Sequence, residues 1–154
     1  MTQIGLPSIF RGALLVLPFH MDCKIRGGLF FELQDGRFQF LDSYETPPLI
    51  IGADYVLADH ELTNFLQTRN IEEVTFRPAV LWNRKLNEEL HTHARVHVGR
   101  KFEADQIASL NLEGDQMLLM DGLSLFVSPS LKMALEASRF DYLQFTEGLS
   151  DFTF

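Results

Sequence analysis

Cysteine and tryptophan are almost missing from this chain, whose 154 residues include one of each, Cys23 and Trp82. A single cysteine excludes an intramolecular disulfide and is typical of proteins of the reducing cytosol. Sequence neighbours rarely form a catalytic dyad, so we expect Cys23 to be a buried, unreactive thiol despite the nearby His20 and Asp22. Trp82 ends an apolar strand pattern and we expect it in the core. At the rim of a sheet it would instead be a candidate interface anchor.

The chain also lacks an apolar run long enough to cross a bilayer. The run at residues 13–19 is too short. It does not have the pattern of a signal peptide either, because only Arg11 is charged before it and no small-x-small cleavage site follows. We therefore expect a cytoplasmic protein without a membrane segment. We expect this run to form a buried strand that ends near Pro18.

Positive charge is scarce as well, with 13 Lys and Arg against 21 Asp and Glu and a net charge of −8. Neutralisation of phosphates dominates nucleic-acid affinity, so a chain this acidic is a poor general binder of nucleic acid. A basic protein partner is favoured, because opposite fields speed encounter. The alternative is that the charge serves solubility alone.

Catalytic and cofactor motifs are absent from the sequence. It contains no G-x-S-x-G elbow, no G-x-G-x-x-G or Walker-type loop and no EF-hand loop. We therefore expect no enzyme active site and no cofactor.

Histidine spacing suggests the main alternative. His91 and His93 have the His-x-His spacing that places two imidazoles on one face of a strand, as some metal sites require, and His97 lies on the same face. Arg95 stands between His93 and His97, and a fixed cation disfavours a bound divalent ion. We interpret these residues as a solvated polar face that is pH-sensitive near neutrality. A strip that contacts a partner and a small metal-dependent enzyme remain the alternatives.

What the chain does contain is a repeated apolar pattern. Each copy predicts a short amphipathic helix followed at once by a strand. The spacing between the copies is 69 residues (131 minus 62), and it fixes the architecture better than any single motif. The five matched pairs are Leu62 and Leu131, Leu66 and Leu135, Ile71 and Phe140, Val74 and Leu143, and Phe76 and Phe145.

Local signals define both helices. Asp59 can cap a helix over residues 60–69, and Asn70 can end that helix because asparagine tolerates left-handed geometry. Ser128 can cap the second helix, with Pro129 at its first position, where a missing N–H donor costs nothing.

Strand signals surround these helices. Asp35-Gly36 and Asp121-Gly122 each predict a hairpin. Residues 73–82 alternate as a half-buried strand whose even positions, including Trp82, face the core, and Pro78 predicts an edge or a bulge there. Residues 90–98 alternate equally well, with Leu90, Thr92, Ala94, Val96 and Val98 on one face. These elements predict one α+β domain over residues 1–154, with a mostly antiparallel mixed sheet and two principal helices packed on it.

The order of several segments resembles a family of bacterial immunity proteins from polymorphic and type VI secretion toxin systems. The resemblance spans about residues 45 to 147. It implies a cytoplasmic protein that binds and neutralises a cognate toxin, commonly a nuclease, without catalysis of its own. It carries no family-wide functional residues to this chain. The segments are residues 74–80, 96–98, 102–105 and 125–137.

Charge and loop position select the candidate partner-binding residues. These are Asp42, Tyr44, Glu45, Glu103, Asp105, Glu113 and Asp115. An interaction module unrelated to toxins is the remaining alternative, and exposed aromatic residues would equally serve a homodimer.

Overall fold

The computed structural model describes residues 15–27, 30–40 and 46–153. Strands dominate this part of the chain, and two α-helices and a 3-10 helix interrupt them. In chain order the elements are β1 (Phe19–Cys23), β2 (Phe30–Glu32), β3 (Phe38–Phe40), β4 (Leu49–Gly52), β5 (Tyr55–Asp59), α1 (His60–Thr68), β6 (Val74–Asn83), β7 (Glu88–Val98), β8 (Lys101–Phe102), the 3-10 helix Ala104–Ser109, β9 (Met117–Met120), β10 (Ser124–Val127), α2 (Pro129–Glu136) and β11 (Leu143–Glu147).

The strands form two sheets. One has the order β11-β1-β10-β9-β8 and the other the order β2-β3-β6-β7-β5-β4. Pairing is antiparallel except between β3 and β6 and between β8 and β9. The expected α+β class with mostly antiparallel strands is confirmed, and the strands are divided between two sheets rather than gathered in one.

The sequence repeat corresponds to a repeat in the topology. The hairpin β4–β5, helix α1 and strand β6 form the first copy, and β9–β10, α2 and β11 form the second. In the first copy β7 lies between β5 and β6, and in the second β1 lies between β10 and β11. Each copy is therefore a split β-α-β unit, in which an antiparallel strand from elsewhere in the chain separates the two strands that flank the helix.

Both predicted helix caps are present. The Asp59 carboxylate accepts a hydrogen bond from the Leu62 amide at 2.9 Å, and the Ser128 hydroxyl accepts one from the Leu131 amide. Asp59 and Ser128 are themselves 69 positions apart, so the caps belong to the repeat. Asn70 has a φ of 51°, as its role in ending the first helix predicted.

The two helices bury their apolar stripes in one shared core. Leu62, Leu66, Leu131 and Leu135 are each at most 1% exposed within it. Burying one such side chain contributes about 1.5–3 kcal/mol relative to exposure, so these four positions hold the two copies together.

A second core lies within the six-stranded sheet. Phe38 and Phe40 of β3 pack there with Leu57 of β5. The Tyr55 hydroxyl donates a hydrogen bond to the Phe30 carbonyl at 3.2 Å, although β5 and β2 lie near opposite ends of the strand order. The sheet is therefore curled, and the hairpin β2–β3 covers the inner side of the curl.

The two Asp-Gly hairpins are confirmed. β2 pairs with β3 across the turn that contains Gly36, and β9 pairs with β10 across Asp121 and Gly122. All three turn residues have positive φ, between 53° and 91°. The Asp54 amide, in the turn between β4 and β5, donates to the Gly122 carbonyl, so the hairpin turns of the two copies meet.

The strand predicted over residues 13–19 is wrong. Leu15 and Val16 are 63% and 54% exposed and belong to no helix or strand, and β1 begins only at Phe19. Residues 13 and 14 lie outside the described ranges. An apolar run alone cannot distinguish a buried strand from a segment that leads into one.

Strand β6 pairs with β7 along its length, whereas β3 pairs with it only from Leu81 to Asn83. Among the described strands Pro78 therefore has a neighbour on one side only, so the edge position predicted there is confirmed, and a bulge lies close to it. The pairing shifts between Ala79 and Leu81, and one extra β7 residue is accommodated there. Val74 and Phe76 face the first core, whereas Ala79 and Leu81 on the other face are buried in the second.

The prediction that the even positions of β6 face the core therefore holds in the first half of the strand, at Val74 and Phe76. In the second half the odd positions Ala79 and Leu81 are the buried ones. Trp82 is half-buried at the surface: its ring packs under the Arg37 guanidinium at 4.5 Å, and its indole N–H donates to Asn87. The bulge also places Leu90 on the face that carries His93. The predicted apolar face therefore holds for Ala94, Val96 and Val98 and is wrong for Leu90.

Candidate functional site

Four of the predicted partner-binding residues lie in the segment that joins β8 to β9. The 3-10 helix begins it, and the Glu103 amide donates to the Gln106 side chain at 2.8 Å. Ile107, Leu110 and Leu112 pack against a third core, built from β8, β9 and β10. The segment is therefore anchored to the five-stranded sheet.

Ser128 fixes the other end of the same segment. Its hydroxyl donates to the Gly114 carbonyl at 2.7 Å and accepts from the Gln116 amide at 2.9 Å, in addition to capping α2. Ser128 is fully buried. Ser128 thus holds in place both the start of α2 and the segment that joins β8 to β9, which we call the acidic segment.

Glu103, Asp105 and Glu113 are exposed on this segment. Glu103 also lines a depression of about 350 Å3 together with Asp121, from the turn between β9 and β10. Sequence reasoning explained Asp121 only by its turn, and no local signal joins it to Glu103, nearly twenty residues earlier. We call Glu103, Asp105 and Asp121 the acidic surface. Lys101 lines the depression as well, and Asp105 and Glu113 do not. Asp105 is included in the acidic surface because it lies two residues after Glu103, at the start of the 3-10 helix, whereas Glu113 lies further along the segment.

Asp115 differs from the other three acids because its carboxylate is engaged within the protein. It is 2.7 Å from Arg69 Nε and accepts a hydrogen bond from the Ser130 hydroxyl at 2.7 Å. Partial burial raises the pKa of the Asp115 carboxyl, but the bonds from Arg69 and Ser130 outweigh it and hold that pKa below its usual range. Asp115 therefore joins the end of α1 to the start of α2.

The other three candidates, Asp42, Tyr44 and Glu45, lie outside the described residues.

His93 is buried, so its assignment to a solvated face is wrong. Its Nε2 lies 2.7 Å from the Pro47 carbonyl and its Nδ1 lies 2.8 Å from the Thr92 hydroxyl. A carbonyl only accepts, so Nε2 carries the hydrogen and Nδ1 accepts from Thr92. Burial lowers the pKa of His93, against the opposing effects of Pro47 and Asp59, and keeps the imidazole neutral.

This arrangement leaves His93 without a free nitrogen for a metal ion. His91 is exposed, 3.7 Å from Glu89, and His97 is exposed as well. Among the described residues, no three His, Cys, Asp or Glu side chains are grouped as metal ligands. A metal at the His91/His93 pair would have to break a buried hydrogen bond of His93.

Cys23 is 4% exposed, as expected. Burial raises the pKa of its thiol, so the nucleophilic thiolate is disfavoured. His20, its neighbour in sequence, instead hydrogen-bonds Asp151 at 3.0 Å.

Comparison with known proteins found no counterpart: no protein-family model, no curated protein and no solved structure matches this chain. Within the described ranges, neither α-helix is long and apolar enough to span a membrane.

Proposed function

We propose that this chain is a cytoplasmic immunity protein that binds a cognate bacterial effector toxin, such as a nuclease, and neutralises it. It would act without catalysis, by covering the toxin's active site or by locking an inactive conformation. The sequence resemblance supports the class of protein, and the acidic surface supports the mode of binding.

The observation that carries this proposal is the anchoring of the acidic surface. Glu103 and Asp105 project from a segment fixed by the third core and by Ser128, and Asp121 lies beside Glu103. Because the segment that carries Glu103 and Asp105 is anchored before binding, little loop entropy is lost on association. They also attract a basic partner over distances near the Debye length, about 8 Å at physiological salt.

The histidine-based metal enzyme is less well supported. His93 has both ring nitrogens occupied, so the His-x-His pair offers one accessible imidazole rather than two. A catalytic metal site usually has three protein ligands and one open position.

The first test is co-purification of the tagged protein with the product of the adjacent gene, read by mass spectrometry. We expect a one-to-one complex with a protein that ends in a toxin domain, and co-expression should restore growth to cells that produce that toxin. Failure of both complex formation and growth rescue would refute the immunity function.

The second test addresses the acidic surface. In a Glu103→Lys/Asp105→Lys variant we expect the association rate to fall about tenfold at low salt, because electrostatic steering is lost. Glu72→Lys/Glu88→Lys is the matched control: it changes the net charge equally at two exposed acids elsewhere. Equal rates for the two variants in stopped-flow measurements would show that this surface does not direct binding.

A further inference from the structure

Two arginines lie directly opposite each other on neighbouring strands. The register pairs Arg77 of β6 with Arg95 of β7. Directly opposite residues of an antiparallel pair have Cβ atoms about 4.5–5.5 Å apart, and like charges there destabilise the sheet. A nearby anion would offset the repulsion between the two guanidinium groups.

Arg95 has its compensation within the protein. Its guanidinium is 2.7 Å from the Glu32 carboxylate, donates to the Asp54 carbonyl at 2.9 Å and lies over the Phe38 ring. Its side chain is only 23% exposed, so it is held in one position. Glu32 therefore neutralises one of the two arginines.

Arg77 has no such partner among the described residues: it is exposed and forms no ion pair with any of them. It lines a cavity of about 400 Å3 that Arg95 lines as well. A second cavity, of about 220 Å3, also reaches Arg77 and lies between α1 and the bulge. The remaining residues that line the larger cavity are Glu32, Gly36, Phe38 and Pro78.

The sheet topology explains why this cavity exists. Strand β3 pairs with β6 only at Leu81, Trp82 and Asn83, whereas β6 extends back to Val74. The hairpin β2–β3 diverges from the first half of β6, and the space between them opens beside Arg77. The cavity is thus a consequence of the curl of the sheet.

We propose that Arg77 and Arg95 form a binding site for a carboxylate group. A guanidinium presents parallel N–H donors that match the two oxygens of a carboxylate. Two arginines and Glu32 leave one excess positive charge, which a monoanion neutralises. The exposed Pro78 provides an apolar wall for the carbon body that bears the carboxylate, and the buried Phe38 supports Arg95 from beneath. The carboxylate belongs either to a small organic acid or to the terminus of a peptide.

Phenylacetate is a suitable probe, and phenylacetamide is its neutral control. We expect phenylacetate to shift the backbone amide signals of Phe76, Arg77, Ala79 and residues 94–96 saturably in a 15N NMR titration, with phenylacetamide binding at least tenfold more weakly. Arg77→Gln should weaken phenylacetate binding at least tenfold. Arg77→Lys should weaken it less, because lysine keeps the positive charge although it lacks the parallel N–H donors of a guanidinium. Arg139→Gln, at an exposed arginine after α2, should bind as the wild type does.

A second titration distinguishes a small organic acid from a peptide terminus as the source of the carboxylate. It compares the binding of a short peptide that has a free C-terminus with the binding of the same peptide amidated at its C-terminus. Tighter binding of the free-acid peptide than of phenylacetate would identify a peptide terminus, and the reverse order a small organic acid. The site is refuted if phenylacetate does not saturate, or if folded Arg77→Gln binds it as the wild type does. Tighter binding of inorganic phosphate than of either carboxylate would refute the assigned ligand class.

Discussion

At the scale of single residues, His93 lies in the interior as an imidazole whose two ring nitrogens are both hydrogen-bonded. Its sequence pattern, alternating with exposed positions, predicted a solvated side chain. The Pro47 carbonyl that satisfies it lies 46 positions earlier in the chain, so no local signal could indicate the burial. The consequence is a pH dependence of stability.

Burial depresses the pKa of His93 in the folded protein below the value of about 6.5 expected in the unfolded chain. Above that pH His93 is neutral in both states and its contribution is complete. As the pH falls, the unfolded chain takes up a proton that the folded protein refuses, and stability is lost. We expect the free energy of unfolding, from urea titrations, to decrease between pH 7 and pH 5.

His93→Gln should be less stable at pH 7 but should lose less stability on acidification. His91→Gln, at an exposed histidine of the same strand, should keep the wild-type loss because His93 is still present. An undiminished pH dependence in His93→Gln would contradict the assignment to His93.

At the scale of elements, the caps of the two helices occupy equivalent positions in the sequence but differ in burial and in the number of hydrogen bonds that they make. Asp59 is partly exposed, and its carboxylate accepts a hydrogen bond from the Leu62 amide. Ser128 is fully buried and makes three hydrogen bonds, two of which hold the acidic segment. The signal for a cap was local in both cases, whereas the additional bonds of Ser128 come from the tertiary fold.

Ser128→Ala should therefore cost about 2–3 kcal/mol, because it leaves buried backbone groups unsatisfied as well as removing a cap. Asp59→Ala should cost about 1 kcal/mol, the usual loss for a helix cap. Chemical denaturation measures both values. Hydrogen exchange of the Gln116 amide, which donates to Ser128, should accelerate in Ser128→Ala and not in Asp59→Ala, and equal exchange in the two variants would contradict the anchoring role.

At the scale of the whole molecule, the two split β-α-β copies contribute to one core. Leu66 of the first copy and Leu135 of the second are equivalent positions, and both belong to it. The hairpin turns of the copies also meet, through the Asp54 amide and the Gly122 carbonyl. We infer that the copies unfold together, as one cooperative unit.

Leu135→Ala in the second copy should therefore destabilise the first. We expect a loss of about 3–5 kcal/mol, typical of a fully buried leucine. Trp82 fluorescence, which reports on the six-stranded sheet, should shift together with far-UV circular dichroism. Leu66→Ala should give the same coincident shift. A Trp82 transition that Leu135→Ala leaves unchanged would mean that the copies fold independently.

The candidate site was predictable only in part. Exposure of Glu103, Asp105 and Glu113 follows from their polar loop positions, which the sequence indicates directly. The engagement of Asp115 by Arg69 could not be read from the sequence, because the two residues lie 46 positions apart. Partners that distant meet only when α1 and α2 pack in the shared core.

The sequence by itself determined the features that depend on neighbouring residues: the two helix caps, the Asp-Gly hairpins and the repeat of the apolar pattern. These follow from backbone geometry and from periodicities of a few residues, which are local. Only the tertiary structure decided which face of β6 is buried, where β7 bulges and that Arg77 stands opposite Arg95. Those outcomes depend on how two sheets curl and share their cores, and alternating polarity along one strand carries no information about what covers each face.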